Sequence, residues 1–293
     1  MSESDISIRP IKTWDEFLAV EELQRSIWQM PDWRDVVPAN LLITVYKNGG
    51  VVLGAFDKTA LIGFVFSFIG AEKQNGAMKI KHCSHMLAVL PEYQSRKIGA
   101  RLKFAQRDLV LDQHIDLITW TYDPLQAINA NLNLARLGAR ARRYISDAYG
   151  EMTDGLNAGL SSDRFQVEWW LNAPHVVERA QSEPPSTDWN GLLRSGAQQV
   201  FSVTMDANGF PHVDKVEEPR AEMLIAEIPA HIGLLKTASP ERAREWRMRT
   251  REFFSCAFSM GFAATDFVFA TRGADRRSAY VLTRVPHETG PRL

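Results

Sequence analysis

The stretch from residue 82 to residue 102 constrains this chain more than any other: His-Cys-Ser-His-Met-Leu-Ala-Val-Leu-Pro-Glu-Tyr-Gln-Ser-Arg-Lys-Ile-Gly-Ala-Arg-Leu. An apolar strand runs to Pro91, the polar turn Gln94-Ser95-Arg96-Lys97 follows, and an amphipathic helix opens at Ile98-Gly99. Strand, tight turn and helix N-terminus together form an anion site. The first-turn N–H groups lack acceptors inside the helix, and the helix dipole favours negative charge there. Arg96, Lys97 and Arg101 add positive charge at the same end. A phosphate or pyrophosphate fits this arrangement. Two common phosphate loops are excluded, because Gly-x-x-x-x-Gly-Lys-Ser/Thr is absent and only Gly99 of Gly-x-Gly-x-x-Gly is present. If position 97 needs φ > 0, Lys97 is strained, and its ammonium could in return reach a phosphate.

The flanking elements follow from local signals. Ile6 to Arg9 reads as a strand. Thr13-Trp14-Asp15-Glu16 reads as a capping box before a helix with Trp14, Phe17, Leu18 and Ile27 on one face. A second helix fits residues 38 to 47. Strands over 51 to 56 and 61 to 69, separated by Lys58-Thr59, read as an antiparallel hairpin. The helix after the turn carries Ile98, Leu102, Ala105 and Leu109 at helical spacing. Ile115 to Thr121 is another strand, and Asp123-Pro124 is expected to cap a helix from Leu125 to Leu137, ended by Gly138. Arg140 to Tyr144 and Phe165 to Leu171 complete a mixed α/β sheet of order β-α-α-β-β-β-α-β-α-β-β.

The run Gln-x-x-Lys-x-Gly-Ala at 94 to 100, behind Leu-Ala-Val-Leu-Pro-Glu-Tyr, resembles motif A of the GCN5-related N-acetyltransferase (GNAT) superfamily. That family's loop, Gln/Arg-x-x-Gly-x-Gly/Ala, wraps the pyrophosphate of coenzyme A. Gln94 and Gly99 match, while Lys97 stands at the usual first glycine. The resemblance implies that Gln94, Ser95, Arg96, Lys97, Ile98, Gly99 and Ala100 hold pyrophosphate. It also implies that strand N–H groups at Leu87, Ala88 and Val89 hold the thioester oxygen. Asn129 and Ala135-Arg136-Leu137-Gly138 resemble motif B. The family places a tyrosine four residues before that glycine, as acid for the departing thiolate; here it is Leu134. Another group then supplies the proton, or thiolate is released to solvent, or transfer is not catalysed.

The whole chain is similar to a two-part branch of predicted acetyltransferases. The similarity is carried by Ile27-Trp28 with Pro31-Asp32, Trp120 to Leu125, Tyr149 to Met152, Asp154 to Asn157, Ser162 to Phe165, and Trp246-Arg247 with Thr250-Arg251. Some members resemble an amino-acid N-succinyltransferase. This implies acetyl-CoA or succinyl-CoA as co-substrate, a small-molecule amine or amino acid as acceptor, and no metal.

An amine must lose a proton before it attacks, so a transferase needs a base or a water chain. His85 lies on the strand before the anion turn, nine residues before Gln94, where arylalkylamine-type members of the family carry a base. Regular alternation puts Cys83, His85 and Leu87 on one face, and His82 on the other, which excludes a His82–His85 metal pair. The alternative for His85 is a hydrogen-bonded core residue. Glu151 and Asp154, in the loop between the last two strands, are further base candidates, with loop capping as the alternative. Tyr144, Tyr122 and Tyr149 are candidates for the missing acid, against burial with a backbone partner. Arg164 could hold a carboxylate of acceptor or donor bidentately, or pair with Asp163 or Glu168. Trp28 and Asp32, with Trp33, are expected to border the acceptor site, and core packing explains Trp28 equally well. Arg101, Lys103 and Arg107 read as a solvated helix face.

Residues 1 to 172 are read as an acyl-CoA-binding domain, 173 to 198 as a Pro- and Ser-containing linker, and 199 to 293 as a smaller α/β unit. The smaller unit carries strands near 199 to 205, 221 to 228, 266 to 270 and 279 to 283, a helix from Ser239-Pro240 to Gly261, and no phosphate loop. It is read as a packing or dimerisation unit, which makes a homodimer the expected assembly. A net charge of −1 points away from nucleic acid, and the longest apolar run, 61 to 69, is too short to span a membrane. Cys83 and Cys256 give no disulfide framework, and the polar N-terminus is no signal peptide, so a cytoplasmic location is expected. Two function classes follow: an acyl-CoA-dependent N-acyltransferase using direct attack by the amine, and a catalytically silent acyl-CoA-binding or regulatory module.

Overall fold

The computed structural model describes residues 6–30, 32–74, 76–150, 152, 158–184, 187–207, 209–272 and 275–284. Glu151 and Asp154, two of the candidate bases, lie outside these residues, as does Pro31. The chain forms two compact units, one comprising chiefly Met1–Trp120 and Trp169–Ala173, the other Thr121–Met152, Asn157–Glu168 and Pro174–Leu293.

The elements up to Trp170 run β1 (Ile6–Pro10), α1 (Trp14–Trp28), α2 (Ala39–Lys47), β2 (Val51–Asp57), β3 (Ala60–Gln74), β4 (Ala77–Val89), α3 (Ile98–Asp112), β5 (Leu117–Tyr122), α4 (Ala127–Ala130), β6 (Arg140–Ile145) and β7 (Arg164–Trp170). This is the expected order. In the first unit β1 to β4 form an antiparallel meander, and β4 pairs in parallel with β5 at His82↔Ile118 and Cys83↔Thr119.

Helix α1 starts where the capping box requires. Thr13 Oγ1 accepts from the Glu16 N–H at 3.3 Å, and a Glu16 carboxylate oxygen accepts from the Thr13 N–H at 3.3 Å. Its core face is Phe17, Val20 and Leu23, with Ile27 packed partly against the core, whereas Trp14 and Leu18 face solvent. The expected stripe is therefore rotated, because the apolar surface offered by β2 and β3 selects the i, i+3, i+6 positions. Phe17, Val20, Leu42, Val52, Phe64, Phe66 and Ala88 form one core cluster between α1, α2 and the sheet. Burying each large side chain stabilises the unit by about 1.5–3 kcal/mol.

Asp123 does not cap a long helix. Its carboxylate accepts from the Leu125 N–H at 2.8 Å, and α4 starts later, at Ala127. The expected helix to Leu137 is instead one α turn followed by a π-helical turn over Asn131–Arg136. Arg179 donates to the Leu134 carbonyl at 2.7 Å, which satisfies an acceptor of the widened turn.

The stretch expected as linker carries helices α5 (Pro174–Gln181) and α6 (Trp189–Arg194), with Val176 and Trp189 buried. Beyond it come β8 (Gln198–Gln199), β9 (Phe201–Met205), β10 (Pro211–Val216), β11 (Met223–Ile228), α7 (Ile232–Ala238), α8 (Pro240–Ser259), β12 (Phe262–Arg272) and β13 (Asp275–Arg284). The expected strands and the long helix are present, and β10 and α7 are additional. In the second unit β12 pairs with both β6 and β13, and β11 lies between β13 and β8. Phe165 anchors this core, edge-on to Tyr122, Tyr144 and Phe254 and close to Phe258 and Tyr280.

Candidate functional site

The strand–turn–helix of the first unit is built as its residues require. β4 ends at Val89, a short turn covers Pro91–Tyr93, and α3 opens at Ile98. Ser95 and Lys97 both have positive φ, 64° and 58°, so the turn twice enters the left-handed region. Lys97 is the N-cap of α3, and no side chain caps the first turn. The N–H groups of Ile98, Gly99 and Ala100 thus lie at an uncapped helix start behind a left-handed residue, a backbone arrangement suited to an anion. Arg96 lies 5.0 Å over the Tyr93 ring, and Tyr93 donates to Asp57 at 2.8 Å, which holds the turn against the β2 end. Gln94 donates to the Val89 carbonyl at 3.3 Å. Arg101, in the first turn of α3, donates to the Ile6 carbonyl at 2.7 Å.

β4 carries a bulge at His85. Met86 pairs with Phe66 but Ser84 pairs with Ser67, so His85 is the extra residue. A bulge turns two successive side chains to one face. His85 therefore joins Met86 on the face of Phe66 and Phe68, with ring centroids 5.9 and 6.1 Å from those two phenyls. Cys83, the partner of Phe68, shares this face; Leu87, the partner of Val65, lies on the other, which corrects the regular alternation expected from sequence. The His85 side chain remains accessible, yet the phenyl rings strip enough water from it to lower its pKa below the usual histidine value. This shift favours the neutral ring, the form a base requires. His82 on the opposite face is fully buried between Ser67 Oγ at 3.1 Å and Gln113 Oε1 at 2.8 Å, and is structural.

The pairing of β4 with β5 reaches only Cys83↔Thr119 among the described residues. Among the described residues the β5-facing edge of β4 has no ladder partner from Ser84 to Val89. The Leu90 N–H donates to the Ile62 carbonyl of β3 at 2.9 Å, so by alternation the Leu87 and Val89 N–H groups face this edge, whereas that of Ala88 faces β3, which corrects the expected trio. Trp28 packs edge-on to Phe64 at 6.2 Å, and Phe64 is the cross-strand partner of Ala88. Trp28 is half-buried and packs against the core beside this strand. Asp32 is engaged by its own neighbour: its carboxylate accepts from the Arg34 N–H at 2.9 Å and from Nε at 2.7 Å, and Arg34 holds its pKa below the usual value.

The remaining candidates belong to the second unit. Tyr144 donates to Asp163 Oδ2 at 2.6 Å, and burial with this bond raises its pKa, so it is a poor proton donor. Asp163 in turn takes Arg251 at 2.6 and 2.8 Å. Arg164 is buried and donates to the Asp163 carbonyl at 2.9 Å rather than to that carboxylate. Tyr122 is buried, 3.2 Å from the Tyr280 hydroxyl. Tyr149 is exposed, with its hydroxyl 2.8 Å from Thr121 Oγ1. Asn129 is exposed on α4, and Leu134 is fully buried. No group of three or more potential metal ligands occurs among the described residues. No described helix is long and apolar enough to cross a membrane.

Lys103 and Arg107 are not a solvated face. Lys103 is buried, and Arg107 donates twice to the Leu171 carbonyl, at 3.0 and 2.8 Å. The stripe Gly99, Lys103, Gln106, Val110 was the available signal, since its spacing faces α3 toward the strands.

No protein-family model and no curated protein sequence matches the chain. Among solved structures it is similar to a NatC complex chain bound to Gag peptide and CoA, at 16% identity and TM-score 0.45, covering 57% of this chain and 98% of that one. It is also similar to the ribosomal-protein-S18-alanine N-acetyltransferase of Escherichia coli, at 11% identity and TM-score 0.43, covering 57% and 95%. A third is an aminoglycoside acetyltransferase from an uncultured soil metagenomic sample, with sisomicin, at 17% identity and TM-score 0.37, covering 42% and 80%.

Proposed function

We propose that this protein is an acyl-CoA-dependent N-acyltransferase that moves an acetyl or succinyl group to the amine of a small molecule, with an amino acid as one candidate acceptor. The observation that carries this reading is continuous along the chain. An open, bulged edge of β4 runs directly into a doubly left-handed turn and an uncapped helix start. Such a run offers N–H groups to a thioester carbonyl at one end and to a pyrophosphate at the other.

In this reading His85, its neutral form favoured, takes the proton from the attacking amine directly or through water. The amine nitrogen forms a bond to the thioester carbon, charge grows on the oxygen facing the N–H groups of Leu87 and Val89, and the C–S bond then breaks. Leu134 offers no proton and Tyr144 keeps its own toward Asp163, so the thiolate leaves toward solvent. Residues 1 to 172 would act as the acyl-CoA-binding domain and 199 to 293 as the smaller unit of a cytoplasmic homodimer. A silent acyl-CoA-binding module is the second reading, favoured by the buried Leu134.

Calorimetric titration with CoA and with pantetheine tests the donor half. Two charge-assisted bonds to pyrophosphate, at about 1.5–3 kcal/mol each, make CoA at least ~10²-fold tighter. Equal affinities would remove the anion turn from the reading.

A further inference from the structure

Lys103 is 2% exposed, on the face of α3 turned toward the strands. Its Nζ donates to Gln106 Oε1 at 2.7 Å and to Ser84 Oγ at 3.0 Å, and lies 3.9 Å from the Trp120 ring centroid and 5.3 Å from that of Trp169. No carboxylate among the described residues pairs with it. A buried ammonium without a counter-ion is costly, and burial accordingly pushes this amine well below the usual lysine range. None of the four side chains that meet Nζ titrates.

The position of this amine is as informative as its chemistry. Among the described residues Cys83↔Thr119 is the last rung between β4 and β5. Ser84 and Trp120 are the next residues on the two strands, and Lys103 touches both. Its Nζ therefore stands at the apex where the strands part. In the acyl-transfer reading, on which this inference rests, CoA enters from the turn at 94 to 100 and places its thioester near 87 to 89. The acyl chain then points back along β4 toward Ser84. Ser84 and Leu87 lie opposite Ser67 and Val65, two residues apart on β3, so the bulged path between them spans ~7 Å. From its carbonyl carbon, a four-carbon dicarboxylic acyl chain reaches ~4–5 Å to the far carboxylate carbon. A charge-assisted hydrogen bond adds ~2.8 Å. An acetyl methyl stops ~1.5 Å from the carbonyl carbon.

We propose that Lys103, with Ser84 and Gln106, receives the terminal carboxylate of a dicarboxylic acyl group and makes the site selective for such donors over acetyl. An incoming carboxylate supplies the missing counter-ion, so binding draws a proton onto the amine.

The test compares kcat/KM for succinyl-CoA and acetyl-CoA in wild type and in Lys103→Met, which keeps an unbranched stem. The wild type should favour succinyl-CoA, and the preference should fall ~10–10²-fold in the variant, as expected for one lost charge-assisted bond. Calorimetry of the wild type in buffers of different ionisation enthalpy supplies a readout that does not depend on the variant folding. Succinyl-CoA should bind with proton uptake and acetyl-CoA without it. Equal donor preference in the wild type, an unchanged ratio in Lys103→Met, or no difference in proton uptake would overturn the proposal. Acetyl-CoA binding that persists in those cases leaves the acyl-transfer reading standing; if neither thioester binds, both fall together.

Discussion

Replacing His85 with glutamine tests the base most cleanly. An ordinary histidine titrates at about 6.5, so about three-quarters of such rings are neutral at about pH 7. The phenyl faces of Phe66 and Phe68 lower the His85 pKa, so its neutral fraction is higher still. The wild type therefore loses almost nothing to protonation at neutral pH, and its acid limb should lie below about 6.5. Glutamine keeps the reach of the side chain but cannot take the proton. Loss of a general base costs ~10²–10⁴ in rate, which is ~2.7–5.5 kcal/mol of transition-state stabilisation. Two ring contacts also go, and aromatic-pair values put that at about 1–3 kcal/mol of stability. Thiol release should be followed from about pH 5.5 to 9.5, with CoA affinity and thermal midpoint measured in parallel. CoA affinity should be nearly unchanged, and raising the pH should partly rescue turnover by supplying free amine. His82→Gln is the internal control. Its ring is locked between Ser67 and Gln113, so that variant should lose stability and keep the shape of the pH profile. Near-wild-type turnover of His85→Gln at neutral pH would refute the reasoning and reduce His85 to a packing residue.

Gly99→Val should weaken CoA binding with the fold intact, because valine is no worse than glycine in a helix but crowds the backbone where phosphate approaches; unchanged affinity with native circular dichroism would count against the site. At the start of α1, the Arg9 hydrogen bond is the main cause that lowers the Glu16 pKa to about 2. A carboxylate depressed in the folded state contributes stability above its unfolded value, about 4.3, and loses it as pH falls through the folded value. The urea-unfolding difference between wild type and Glu16→Gln should therefore shrink between about pH 4.3 and 2, and a difference independent of pH would contradict this. Thr13→Ala should cost ~1 kcal/mol as a lost cap, measured in the same titration.

The turn at 94 to 97 is legible in sequence because its signals are local. Gln94 to Lys97 are turn residues, Ile98 opens a helical spacing, and the positive φ at Lys97 follows from the position of the missing glycine. The bulge at His85 is not legible in that way. Histidine and methionine both suit a regular strand, and nothing between Ser84 and Met86 marks an extra residue. Counting by twos from Cys83 then assigns Leu87 to the wrong face. Lys103 is misread for a related reason. A lysine in a charged helix looks solvated until Ser84, Trp120 and Trp169 arrive from three strands distant in sequence. Asp123-Pro124 shows the limit of capping rules, since a good cap signal there precedes only one α turn before the backbone widens at Asn131.

The most direct measurement is free-thiol release from acetyl-CoA and succinyl-CoA by the full chain, against a panel of small amines and amino acids. The account predicts acceptor-dependent release with at least one donor, abolished or strongly reduced in His85→Gln while CoA still binds. CoA binding with no acceptor-dependent release from either donor would contradict it and leave the silent binding module.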